Sequence, residues 1–235
     1  MSDSSRPRYA IYFVPDADSP LYRFGAGLLG YDAYRGTSLT LPETMTRATA
    51  DWAAVTEEPR KYGFHATLKA PIALADGTSE AGLITACEDF TAARRIIPTF
   101  PAVVRAIGDF IALVPEQQPP ALADLAQHCV AAFDRFRAAL TDTDRARRNP
   151  AQLSPRQRDH LERWGYPYVG EDFRFHMTLT GRLEPERQGH ILDLLRDAFA
   201  QTGVAAIRVD RIALCRQDAP AAPFRVQRAF PLAAI

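Results

Sequence analysis

The chain has 235 residues, 47% of them apolar and 24% charged, a balance that allows a sizeable core and excludes the polar composition of a disordered chain. Its 28 basic and 28 acidic side chains give zero formal net charge, so no global field draws it to nucleic acid or to an anionic membrane. The start MSDSSRPRYAIYFVP lacks a leader pattern, no run approaches the ~18 apolar residues of a spanning helix, and Cys87, Cys129 and Cys215 are far apart without C-x-x-C spacing; a cytoplasmic protein with reduced thiols, no membrane segment and no clustered zinc site is expected.

In chain order, RYAIYFVP predicts a strand over 8–14 that stops at Pro15. Residues 16–60 are less regular: Gly25, Gly27 and Gly30 read as turn glycines, without the lysine and context of a nucleotide-binding loop, and TMTRATADWAAV predicts a helix ended by Glu57-Glu58-Pro59. YGFHATLKAP predicts a strand over 62–70 closed by Pro71, and Ser79 caps a helix over 79–95. FPAVVRAIGD and FIALVP are two strands around a Gly108-Asp109 turn, followed by a helix over 120–140. TDTDRARRNPAQLSPRQRD reads as a solvated connection containing a helix start at Ser154-Pro155. FRFHMTLTGRL predicts a strand, PERQGHILDLLRDAFAQTG a helix ending at Gly203, AAIRVDRIALCRQ a long or broken strand, and PFRVQRAFPL the last one.

These elements repeat. AIYFVP near the N-terminus matches FIALVP in mid-chain, and each precedes a strand containing Phe-His-x-Thr-Leu, then a helix and further strands. Such internal repetition identifies the structural unit. The expected fold is α+β: two βα lobes related by a pseudo-two-fold, each an antiparallel sheet flanked by helices, with a cleft between them. The whole forms one bilobal domain with lobes near 1–105 and 106–235 and some strands exchanged.

The strongest local feature is the pair Phe64-His65-Ala66-Thr67-Leu68 and Phe175-His176-Met177-Thr178-Leu179. Alternate side chains of a strand share a face, so His65 and Thr67 point one way, as do His176 and Thr178, and the apolar residues point the other. A lone histidine in a strand is more often structural; two on matching strands of a repeated plan point to a site. Two opposed imidazoles can take and give protons on either side of a phosphorus, and two hydroxyls can hold its non-bridging oxygens. No metal or cofactor is needed for this, and no carboxylate spacing beside the motifs suggests one. Lys69 shares the face of His65 and Arg174 that of His176, so both are candidates for neutralising substrate charge. Tyr12, Tyr62, Trp164, Tyr166 and Tyr168 are candidates for an aromatic rim, Tyr12 among the binding residues. His128, His160 and His190 lack such a context.

At FHATLKAP and FHMTLTG the chain resembles the two-histidine (2H) phosphoesterase superfamily, which contains RNA 2',3'-cyclic phosphodiesterases and bacterial RNA ligase-like proteins. RKYGFHATLKAP and FRFHMTLTGRL are more specifically similar to its branch associated with bacterial phosphonate-utilisation genes (DUF1045-like). The resemblance implies a cleft lined by His65, Thr67, His176 and Thr178, and a metal-independent phosphodiesterase acting on a small cyclic phosphodiester, either a 2',3'-cyclic nucleotide or a cyclic ribose phosphate. A phosphate-ester or RNA-end binding module with little turnover and an RNA ligase-like activity are the alternatives. Lys69 and Thr180 occupy equivalent positions with different chemistry, so an asymmetric cleft is expected, with an extra anionic group of the substrate near Lys69. The partner expected is a small phosphodiester or nucleotide-like molecule, or an RNA end, rather than a long duplex, whose backbone would need many cationic contacts.

Overall fold

A computed structural model describes residues 6–235. The first five, where the sequence is searched for a leader, lie outside the described residues. The fold is α+β, built on an antiparallel sheet flanked by helices. In chain order come β1 (Arg8–Phe13), α1 (Pro20–Leu29), the small ladder β2 (Tyr31–Asp32) with β3 (Thr37–Ser38), the short helices α2 (Glu43–Ala48), α3 (Trp52–Val55) and α4 (Glu57–Arg60), then β4 (Ala66–Ala73) and α5 (Glu80–Ala92). The hairpin β5 (Thr99–Ile107) and β6 (Phe110–Pro115) follows, then α6 (Pro120–Phe133), α7 (Asp142–Arg147), α8 (Pro155–Trp164), β7 (Met177–Thr178), α9 (Pro185–Ala200), β8 (Ala206–Arg208), β9 (Arg211–Gln217) and β10 (Arg225–Pro231).

Eight strands form one sheet in the order β10-β9-β1-β4-β7-β6-β5-β8. Its middle is the pair β4 and β7, joined through Ala66 and Met177. Each of these has a matching neighbour on its outer side: Phe13 and Tyr12 of β1 stand opposite Ala66 and Thr67, and Leu113 and Ala112 of β6 stand opposite Met177 and Thr178. Phe64, Ala66, Leu68, Phe175, Met177 and Leu179 are all buried in the main core, as strand parity requires.

Local signals formed where they were read. Ser79 accepts from the Gly82 amide at 3.1 Å, Ser154 and Gln157 make a capping box, and Gly108, at φ 59°, closes the two-residue turn between Ile107 and Phe110. The strand read across 206–217 is broken: β8 pairs with β5 at one edge of the sheet and β9 with β1 in the other half.

Several expectations are corrected. Gly25 and Gly27 lie inside α1, and Gly30 caps it at φ 70°; Ser19, Pro20 and Gly30 together are a helix's start and stop. The helix expected around Trp52 is three short pieces, and Pro59 sits within the last of them. Residues 142–147 form a helix where a solvated connection was expected. Pro71 does not close its strand: it lies where the β1–β4 register slips between Tyr9 and Ile11, a bulge at which no ladder amide is required. The strand expected through His176 is reduced to Met177–Thr178, because the Phe175 amide turns to the Gln118 side chain at 2.8 Å and both the Leu179 and Thr180 amides converge on the Ile111 carbonyl.

Gly25 places the backbone of α1 directly on the Phe64 ring, so that a β-carbon there would stand 2.1 Å from a ring carbon. The next residue is His65. Gly25→Ala is therefore expected to cost about 1–3 kcal/mol by overpacking and to lower the melting temperature followed by circular dichroism; an unchanged melt would mean that α1 can lift off Phe64 freely.

Candidate functional site

The antiparallel pair Ala66 and Met177 fixes what stands beside it. One residue further along the register, Thr67 neighbours His176, and one residue back His65 neighbours Thr178, all on the face opposite the buried Ala66 and Met177. All four are half-buried.

Both histidines are held in the same way. His65 Nδ1 donates to the Gly63 carbonyl at 2.9 Å and His176 Nδ1 to the Arg174 carbonyl at 2.9 Å. A carbonyl only accepts, so in each neutral ring the proton sits on Nδ1 and the lone pair on Nε2. Thr67 Oγ1 lies 3.3 Å from His65 Nε2 and donates to it. His176 Nε2 and Thr178 Oγ1 have no protein partner among the described residues. Burial pulls the His65 pKa down to about 4, the Gly63 hydrogen bond opposes this, and charge on His176 lowers it further; the two rings are thus near enough to feel one another.

A cavity of about 380 Å³ opens beside them. Thr67, Lys69, Arg174 and His176 line it, together with Ala126 and Val130 of α6 and the aromatic residues Trp164, Tyr166 and Tyr168. His65 is not on its wall and meets it through Thr67. Tyr12, a candidate for substrate contact, is 1% exposed and stacks on the His65 ring at 3.8 Å; its place is under the histidine rather than against a ligand, and burial pushes its phenol well above the usual range. The equivalent place beside Thr178 holds Ala112, so the cleft is asymmetric for a reason other than the Lys69 and Thr180 contrast. His176 instead lies 5.8 Å from Phe110, ring centre to ring centre.

Lys69 also departs from expectation. Its side chain is 3% exposed and its ammonium pairs with Asp134 at 2.6 Å, with the Val130 carbonyl as a second acceptor at 3.3 Å. Desolvation holds its pKa below the ordinary lysine value. Its charge is committed inside the protein, and an anionic group of the substrate does not find a free ammonium there. Asp134 was not singled out by the sequence reading, since the pair spans 65 positions and no local pattern announces it. Arg174 turns onto the Glu171 and Phe173 carbonyls, both at 2.8 Å, which shapes the loop carrying His176. Among the described residues no group of three or more His, Cys, Asp or Glu side chains could hold a metal ion, and no helix is long and apolar enough to cross a membrane.

Comparison with known proteins adds a family. A family model described as a protein of unknown function (DUF1045) matches residues 67–225. The chain is 36% identical to the ribose 1,5-bisphosphate phosphokinase PhnN of Janthinobacterium sp. (strain Marseille), over 95% of this chain and 50% of that one. It is 37% identical to the ribose 1,5-bisphosphate phosphokinase PhnN of Laribacter hongkongensis (strain HLHK9), over 75% and 40% respectively. The chain thus spans about half the length of the curated relatives it matches. Their name corrects the expected function: these are phosphokinases, and the hydrolase and cyclic phosphodiesterase reading, with the ligase alternative beside it, is withdrawn.

Two outcomes follow from the charges. His65 binds fewer protons folded than unfolded between its unfolded pKa of ~6.5 and its folded value of about 4, so its contribution to stability is complete above pH ~6.5 and is lost as pH falls through that window. Urea denaturation at pH 7 and pH 4.5 should show a fall on the order of 2 kcal/mol in the wild type and a smaller one in His65→Gln. Asp134→Ala, which strands a buried ammonium, should destabilise by about 3–5 kcal/mol, and Lys69→Met by much less; equal effects would mean that Lys69 is solvated.

Proposed function

From a chain that belongs to the DUF1045 family and turns two His-x-Thr pairs to one face of its sheet, we propose a site that holds a small phosphorylated sugar, with His65, Thr67, His176 and Thr178 around its phosphate. Ribose 1,5-bisphosphate, the compound in the relatives' name, is the first candidate. The named activity belongs to chains about twice as long, so the substrate class is what is carried over.

The observation that carries this reading is the matched tether at both histidines. Each Nδ1 is spent on the carbonyl two residues earlier, which aims each Nε2 away from the backbone and towards the same face as a threonine hydroxyl. His65, with its pKa near 4, is neutral at physiological pH, and its Nε2 lone pair, which receives the Thr67 hydroxyl at 3.3 Å, accepts a hydrogen bond from a sugar hydroxyl once Thr67 turns to the phosphate. The Thr67 hydroxyl then donates to a non-bridging phosphate oxygen instead of to His65 Nε2, and the Thr178 hydroxyl donates to another. Tyr166 and Trp164 on the cavity wall give the sugar ring an apolar face.

The finer architecture belongs to the same reading. Read outward from the centre, β4-β1-β9-β10 and β7-β6-β5-β8 are two series of four strands, and the residue opposite each histidine motif is at the same position of AIYFVP and FIALVP. This supports two repeats over 1–105 and 106–235 about a pseudo-two-fold between β4 and β7, in the manner of the two-histidine superfamily. Strands β9 and β10, from the second repeat, complete the first, and β5, near the end of the first, completes the second.

Titration of ribose 1,5-bisphosphate into the protein by calorimetry should show saturable binding. It should weaken about ten-fold or more in His176→Ala and in Thr67→Val, and be unaltered in His128→Ala, an exposed histidine of α6. A wild type that does not bind this compound, or variants that bind it equally well, would remove the reading.

A further inference from the structure

A second cavity, of about 520 Å³, continues the same face of β4 beyond the histidine cleft. Ala70 and Trp164 belong to the walls of both. Its own wall carries Arg8, Arg137, Arg147 and Arg148, besides Arg6, which pairs with Asp76 at 3.3 Å, and one carboxylate, Asp144, in a chain whose formal net charge is zero. That carboxylate is turned to its own helix cap, accepting from the Thr141 amide and hydroxyl.

Three of these guanidinium groups have no carboxylate partner among the described residues. Arg8 donates to the neutral amide oxygen of Gln217, with Nε at 2.8 Å. Arg148 lies over the Tyr166 ring at 4.9 Å, and Arg147 makes no hydrogen bond or ion pair. A fourth, Arg137, shares Asp134 with Lys69, so two cations surround one carboxylate and a net positive charge stands between the two cavities. Like charges gathered in a half-enclosed space repel one another, and an anion there relieves them.

We propose that this arginine-lined cavity is an anion site that takes a polyphosphate chain, independent of what the histidine cleft holds. From Thr67 in the cleft to Ile72 on the wall of the second cavity is five residues of extended strand, about 16 Å, which is more than one pentose ring bridges. The arginines thus stand beside the histidine cleft, across Ala70 and Trp164, rather than within it. Several guanidinium forks spread over one wall suit several phosphate groups in a row, each accepting paired hydrogen bonds.

Calorimetry at low salt with inorganic tripolyphosphate, ATP and adenosine tests this and separates the inorganic from the nucleotide source. Tripolyphosphate should bind saturably, ATP should compete with it, adenosine should not bind, and affinity should fall with added salt. Arg147→Gln with Arg148→Gln should weaken tripolyphosphate about ten-fold or more, and Arg147→Gln alone, at an exposed residue, should weaken it measurably with an unchanged melt. His176→Ala should leave it within about two-fold. No saturable tripolyphosphate binding, an equal loss in His176→Ala, or adenosine binding as tightly as ATP would overturn the assignment, the second by placing the anion in the histidine cleft and the third by placing recognition on the base.

Discussion

Everything in the candidate site depends on the pairing of Ala66 with Met177. These two residues are 1% and 0% exposed, so their side chains must face the core, and strand parity then forces Thr67 and His176 out on the other side. A slip of one residue would bury the imidazole and expose the methionine. A two-residue strand cannot hold register by its ladder alone, and here other groups hold it. The Gln118 side chain accepts from the Phe175 amide and donates to the Phe173 carbonyl at 3.3 Å, and on the far side the Thr180 hydroxyl accepts from the Ile111 amide at 3.0 Å. His176 is thus positioned by clamps before and after it, on rigid neighbours.

Charge is distributed so that the cleft itself is lightly charged. Lys69 is neutralised by Asp134, whose second partner, Arg137, faces the adjoining cavity. Burying that ammonium without a partner would cost several kcal/mol, so Asp134 is a condition for having a lysine at this place in β4. The consequence is that hydrogen-bond donors and acceptors, rather than a free cation, face the cleft at the histidines, while Arg8, Arg147 and Arg148, without a carboxylate partner among the described residues, line the adjoining cavity.

Much of this was legible in the sequence where the cause is local. Serine caps, the Gly108-Asp109 turn and the alternation of Phe-His-x-Thr-Leu depend on residues within a few positions of one another, and they formed as read. The similar AIYFVP and FIALVP segments carried long-range information, since they form the strands that pair with β4 and β7. What was misread has two origins. Helix α1 had a serine cap, a proline at its first position and a glycine at its end, but the glycines between were given more weight than those signals; Gly25 is there because Phe64 needs the space. The roles of Lys69 and Tyr12 were set by partners far away in the chain, and face parity alone could not distinguish a side chain reaching ligand from one reaching Asp134 or lying flat under His65.

The same distinction explains why the motif led to the wrong reaction. Two imidazoles and two hydroxyls turned to one face of a sheet are groups that can hold a phosphate. They do not specify what attacks that phosphate or to what it is transferred, since holding non-bridging oxygens serves hydrolysis, transfer and binding alike. The choice among these comes from the rest of the cavity: whether it admits water, a hydroxyl or a second phosphorylated molecule. In this chain the cleft opens at the His176 end, where Ala112 stands in the place that Tyr12 fills beside His65, and it runs on past Trp164 into a space walled by arginine.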